Sequence, residues 1–191
     1  MKKTISTLLI SASIAFASSK TFAADYVIDT QGAHASINFK IMHAGFSWMT
    51  GRFNHFKGNF SYDKNNISAS NVNVEIDASS VDTNHAKRDK HLRSDDFLDV
   101  EKFPKARFVS TKFIDKGSDK MEIIGDLTLH GVTKSITINA QKVAEGERKG
   151  KYLAGFLGTT ELTLKDYNIK RSLGPASESV FLELHIEGIR Q

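Results

Sequence analysis

The 191 residues carry 26 Lys and Arg against 22 Asp and Glu, a formal charge of +4, and no cysteine. The length suits one domain with a core of its own, and the lack of cysteine excludes disulfides, thiolate metal sites and a thiol nucleophile. The excess charge lies in the first 23 residues, where Lys2, Lys3 and Lys20 stand without an acid; removing them leaves 168 residues at +1, which do not look like a nucleic-acid binder.

Residues 1–23 read as a signal peptide: Lys2 and Lys3 form the charged start, Ile5 to Phe16 the apolar run, and Thr21-Phe22-Ala23 the cleavage site. The run is broken by Ser6, Thr7, Ser11 and Ser13 and is too short to span a bilayer, so cleavage and export are expected, without stable membrane insertion. The mature domain is then 24–191.

Strand signals follow at regular spacing. Tyr26 to Asp29 is a short opener, and Ala35, Ile37, Phe39 and Ile41 alternate with polar residues. Gly51, Phe53, Phe56, Gly58, Phe60 and Tyr62 form an aromatic-rich strand whose parity breaks, which predicts a bulge or bend near Asn54-His55. Val72, Val74 and Ile76 complete the first half. Between Ser79 and Phe108 the alternation stops, and a charged connection this long requires structure of its own. A helix is expected there, capped by Thr83 or Asn84 and closed by Pro104, with His85/Asp89 and His91/Asp95 pairing along it. Leu92, Phe97, Leu98 and Phe103 would dock it.

Alternation resumes at Ala106 and Phe108. Met121, Ile123, Gly125, Leu127 and Leu129 share one face, and His130-Gly131 suits a two-residue hairpin turn. Ile136, Ile138 and Ala140 follow, then a charged loop at Glu145 to Gly150. Ala154, Phe156, Gly158 and Leu162 share the next face, and Val180, Leu182, Leu184 and Ile186 form a long closing strand.

Three stretches, SVDTNHAKRDKHLRSDDFLDVEKFP, GDLTLHGVTK and LGPASESV, resemble the bacterial YceI family, and the resemblance spans nearly all of the mature chain. It implies a periplasmic, lipocalin-like antiparallel β-barrel that encloses a long isoprenoid or similar lipid, with no established catalytic activity.

The residues themselves lead to an all-β fold, a single antiparallel barrel of about eight strands with one helical connection. Such a barrel is either just filled by its side chains or holds one small ligand. Both readings of the interior are open: glycines for curvature in a packed core, or small residues leaving a slot. The second, which the resemblance favours, makes Phe39, Ile41, Phe60, Val74, Phe108, Gly125, Leu127, Ile138, Ala154, Phe156, Gly158, Leu182 and Leu184 the candidate lipid-binding residues. Arg88, His91 and Arg93 are candidates for a head group, although local ion pairing is the stronger reading of these charges. Trp48, in an aromatic loop with Phe46, either caps the barrel or faces a membrane or lipid donor; capping is the expectation.

No His spacing matches a metal site, and no nucleophile elbow or phosphate loop occurs, so neither catalytic residues nor a metal or other cofactor are expected. The inward rows hold no titratable group, although a one-residue slip would turn Glu183, His185 and Glu187 inward. The expected partner is a polyisoprenoid or quinone-like lipid, not nucleic acid, and a homodimer stays open. The alternative is an isomerase or hydrolase acting on a hydrophobic substrate in the same cavity.

Overall fold

The computed structural model describes residues 23–171 and 173–191. The expected signal peptide therefore lies outside the described residues except for Ala23. The strands are β1 (Ala24–Ile28), β2 (Ser36–His43), β3 (Ser47–Phe53), β4 (Phe56–Tyr62), β5 (Asn71–Asp77), β6 (Val81–Asp82), β7 (Lys105–Gly117), β8 (Lys120–Leu129), β9 (Val132–Arg148), β10 (Lys151–Thr163) and β11 (Ser179–Arg190), with helix α1 (Ala86–Arg93) between β6 and β7.

Eight strands close a ring in the order β1-β4-β5-β7-β8-β9-β10-β11, and β11 returns to β1. Every pairing is antiparallel, so closure leaves no open edge in the ring. The other strands build a second wall along one end. The last residues of β11 pair with β1, through Gly188 to Arg190, whereas its first residues, Val180 to His185, pair with β2, which in turn carries β3 and the short β6. We call the end bearing β2, β3 and α1 the upper end.

The aromatic-rich segment is two strands rather than one. Its bend falls at Asn54 and His55, and the two parts have different neighbours: β3 pairs with β2 and β6, β4 with β1 and β5. Ser80 fixes the bend, its Oγ accepting from His55 N at 3.0 Å and its carbonyl from Asn54 N at 3.1 Å. The hairpin turns are shorter than the loops that charge alone suggested. Strand β9 runs through Glu145 to Arg148, leaving only Lys149-Gly150 as the turn; this pair and His130-Gly131 both have positive φ at each residue, the twist-matching hairpin geometry.

Helix α1 is also shorter than expected and starts elsewhere. His85 is its cap, with Nδ1 accepting from Arg88 N at 3.2 Å, because Thr83 is committed to Asp89. Beyond Arg93 the chain folds into successive turns, closed by Leu98 N to Leu92 O and Phe103 N to Asp99 O.

The lower half of the barrel holds a buried aromatic cluster. Tyr26, Phe60, Tyr62 and Ala154 belong to one buried cluster, with Phe156 against it. Tyr26 and Phe60 stack at 4.8 Å, and Phe156 meets Phe60 and Tyr62 edge-on at 5.5 and 5.1 Å. An inward glycine seats one of these rings: a β-carbon at Gly188 would lie 2.4 Å from the Phe60 ring; at the upper end one at Gly51 would likewise lie 2.3 Å from Phe39.

Candidate functional site

A cavity of about 390 Å³ occupies the upper half, within the usual range for small-molecule sites. Each wall comes from a different element for a local reason. Two-residue alternation turns Ile37, Phe39 and Ile41 of β2 inward, and Met49 and Phe53 of β3 face them across the ladder. Leu127 and Leu129 come from β8, Leu162 from β10, Val180 and Leu182 from β11. The roof is α1 with the turns after it: Leu92, Phe97 and Leu98 point down, while Ile169 and Leu173 close the side from the segment between β10 and β11.

The polar groups are at the rim. Arg88 donates from Nε to Thr83 Oγ1 at 2.7 Å and from Nη2 to Thr83 O at 2.8 Å, and its Nη1 lies 3.6 Å from Met49 Sδ. Thr83 in turn gives its backbone N–H, at 2.9 Å, and its hydroxyl to buried Asp89. This chain, Asp89 to Thr83 to Arg88, fixes the guanidinium beside the cavity. His91 and His43, both exposed, also border it, so this is where the cavity meets solvent. His91 Nε2 lies 2.7 Å from Asp96 Oδ2 instead of pairing with Asp95, and the hydrogen bond holds the Asp96 carboxyl below its usual range.

Of the thirteen residues expected around one slot, the structure places Phe39, Ile41, Leu127 and Leu182 on the cavity wall. Phe60, Phe156 and Ala154 lie instead in the lower cluster with Val74 packed against it. Phe108, Ile138 and Leu184 pack in the upper cluster beside the cavity, and Gly125 and Gly158 lie under the side chains of Phe108, Ile138 and Leu184. Among the head-group candidates, Arg88 and His91 border the cavity, whereas Arg93 turns to the Val81 carbonyl at 3.4 Å, with its buried Nε unpaired among the described residues. Trp48 does not cap the barrel. It stands on the outer face, edge-on to Phe181 at 5.6 Å, because β3 alternation turns its neighbour Met49 inward.

Sequence reasoning passed over several wall residues. Ile37 and Val180 share the alternating rows of Phe39 and Leu182, so their signal was present; Ile169 and Leu173 sit in an aperiodic segment and had none. Nor did it find the triad at the β1–β2 crossover, where His34 Nδ1 lies 2.8 Å from Asp29 Oδ2 and 3.5 Å from Glu187 Oε1. All three ligand atoms fall within 4.8 Å of one another, the spacing of a metal site, but the exposed ring of His34 is already hydrogen-bonded to Asp29. Glu183 and His185 pair at 2.7 Å on the outer face, so β11 has not slipped. A wider concavity of about 680 Å³ lies outside this same wall, lined by the outward residues Asn38, Lys40, Arg52, Glu161 and Glu183. It lacks the apolar enclosure of the inner cavity.

Among the described residues no helix is long and apolar enough to cross a membrane. The full length of the chain is 55% identical over 192 residues to the full length of a UPF0312 protein from Shewanella denitrificans. Its fold is similar to the crystal structure of the Campylobacter jejuni YceI protein, at a TM-score of 0.71 and 28% identity, covering 80% of this chain and 91% of that one. It is also similar to a polyisoprenoid binding domain from Saccharophagus degradans, at a TM-score of 0.63 and 17% identity over 88% of this chain and 99% of that one. With the YceI-like domain matched over residues 26–188, the chain belongs to the YceI family.

Proposed function

We propose that this protein is a periplasmic binding protein, freed by cleavage of residues 1–23, which encloses the tail of a polyisoprenoid or isoprenoid-quinone-like lipid in the upper half of its barrel. The observation that carries this reading is the division of the cavity, an inner wall of Ile, Leu, Met, Phe and Val side chains with its ionisable groups, His43, Arg88 and His91, confined to the rim. A lipid with one polar end needs that arrangement. The similarity to a polyisoprenoid binding domain supports the choice of ligand class. Catalysis by proton transfer would call for a titratable group deep in the apolar interior, and the inner wall offers none among the described residues.

Volume and energy bound the ligand. At ~30 Å³ for a water-sized group, about 390 Å³ takes roughly a dozen carbons, or two to three isoprene units. Burying each unit of ~100 Å² contributes about 2.5 kcal/mol gross, from which the costs of association are subtracted. Those units alone give affinities in the micromolar range at best. Tighter retention requires either Arg88 and His91 on the head group or side chains at the cavity floor moving apart for a longer tail.

Native mass spectrometry of protein purified from its own periplasm without detergent, followed by solvent extraction, tests the proposal. One prenyl lipid per protein is expected. A mass equal to the bare chain, with nothing extracted, would sink it.

A further inference from the structure

Among the described residues the most exposed large apolar side chain is Phe46, 92% exposed at the tip of the β2–β3 hairpin. The chain turns there through Ala44 and Gly45, at φ of 49° and 81°, and delivers Phe46 clear of the barrel. Trp48 follows two residues on, half-exposed, and the Lys40 ammonium lies over both the Trp48 and the Phe181 rings, at 5.1 and 6.0 Å from their centroids. Charge on this hairpin has one sign. Between Asp29 and Asp63 the sequence holds no carboxylate, only Lys40, Arg52, Lys57 and the histidines His34, His43 and His55 as groups able to carry charge at neutral pH.

Exposed Phe and Trp on a hairpin whose own charges are all cationic, the acids Glu161 and Glu183 of the adjoining outer wall being on neighbouring strands, is the chemistry of segments that rest in the interfacial layer of an anionic bilayer. The patch is also placed for it. His43 and Met49, on the two strands of this hairpin, border the cavity, and Gly45 approaches Ala176, in the segment that supplies Leu173 to the cavity wall. The tip thus stands beside the rim where the cavity meets solvent.

We propose that the β2–β3 hairpin docks this protein on an anionic lipid surface, with Phe46 and Trp48 entering the interfacial layer and Lys40 facing lipid phosphates, so that the cavity rim opens toward the membrane. This deepens the lipid-binding reading by giving the carrier a loading face, and it rests on that reading only for what is loaded. Docking itself is separately measurable.

Trp48 is the only tryptophan in the chain, so its fluorescence reports on this patch alone. Vesicles of equal parts phosphatidylethanolamine and phosphatidylglycerol should shift its emission to the blue and carry the purified protein into the pellet, with phosphatidylcholine vesicles doing so far less. F46S should weaken partition about tenfold and K40Q about fivefold. Because Phe46 touches so little, F46S should melt like the wild type and keep whatever lipid the wild type yields on extraction. A wild type that holds lipid yet ignores both vesicles would end the docking proposal and leave the carrier reading standing. One that docks but yields no lipid would do the reverse. Equal binding to both vesicle types, an F46S variant that binds undiminished, or a wild-type dimer that F46S dissolves would each overturn the assignment of this face to an anionic membrane.

Discussion

The ring of Phe108 lies over Gly125, so close that a β-carbon on the glycine would stand 2.5 Å from Phe108 Cζ and equally close to the Val109 carbonyl oxygen. The glycine is there to seat the ring and leaves no free volume. Gly125→Ala therefore strains a packed wall and should cost about 1–3 kcal/mol, read as a lower urea midpoint at unchanged slope. A midpoint equal to the wild type's would show that the ring moves aside freely.

This relationship marks the limit of what was legible. Alternation assigns a side chain to the inside or outside of a strand, and it did so for Ile37, Phe39 and Ile41 and for the whole row from Val180 to Ile186. It does not give the level at which an inward side chain meets the opposite wall. Phe39 and Phe60 read alike in sequence, yet one borders a cavity and the other stacks on Tyr26, because β1 and β2 take successive lengths of β11. Helix α1 was legible as a need for structure, but its cap was not, since Thr83 has two candidate duties and only the tertiary position of Asp89 decides between them.

Within the charged connection between β6 and β7, one carboxylate outweighs its neighbours. Asp89 is buried and takes both the backbone and hydroxyl protons of Thr83, whereas Asp95 is exposed. Asp89→Ala leaves buried donors unmatched and should cost about 1–3 kcal/mol, and Asp95→Ala less than about 0.5 kcal/mol. Phe97→Ala removes a buried ring from the cavity roof and should cost about 3 kcal/mol. Urea titrations that rank Asp95 above Asp89 would contradict the Thr83 anchorage.

Acid should weaken the fold through identifiable groups. Asp29 is held below its ordinary value of 3.8 by the His34 side chain and the Gly32 N–H, Asp77 by the Ser79 hydroxyl and N–H, and Asp82 by the Asn84 N–H and the Asn54 amide. A lowered folded-state value means that the unfolded chain binds the proton more readily, so stability rises with pH across this range. The contribution is complete above the ordinary value and is lost as pH falls through the lowered ones. The urea midpoint should accordingly hold near about pH 6 and drop between about pH 4 and pH 2. Asp77→Asn should flatten that drop, and a midpoint that rises on acidification would be the wrong sign.

The two halves of the barrel call for opposite responses to the same kind of substitution. Ala154 has no exposed surface and belongs to the cluster of Tyr26, Phe60 and Tyr62, so a larger side chain there would meet packed neighbours. Ala154→Phe overfills a close-packed region and should cost about 1–3 kcal/mol or prevent folding. Ile41 borders the cavity and is only partly buried, so a phenyl ring there can turn into open volume. Ile41→Phe should change the stability of delipidated protein by less than about 1 kcal/mol, as volume-tolerant sites do, while its added ring carbons take up roughly half the space of an isoprene unit and so lower the amount of extractable lipid. Melting curves of delipidated proteins and solvent extracts of native ones separate the cases. If Ile41→Phe melts as low as Ala154→Phe, the upper half is packed like the lower; if it melts like the wild type and still yields the full complement of lipid, the ligand lies elsewhere than in this cavity.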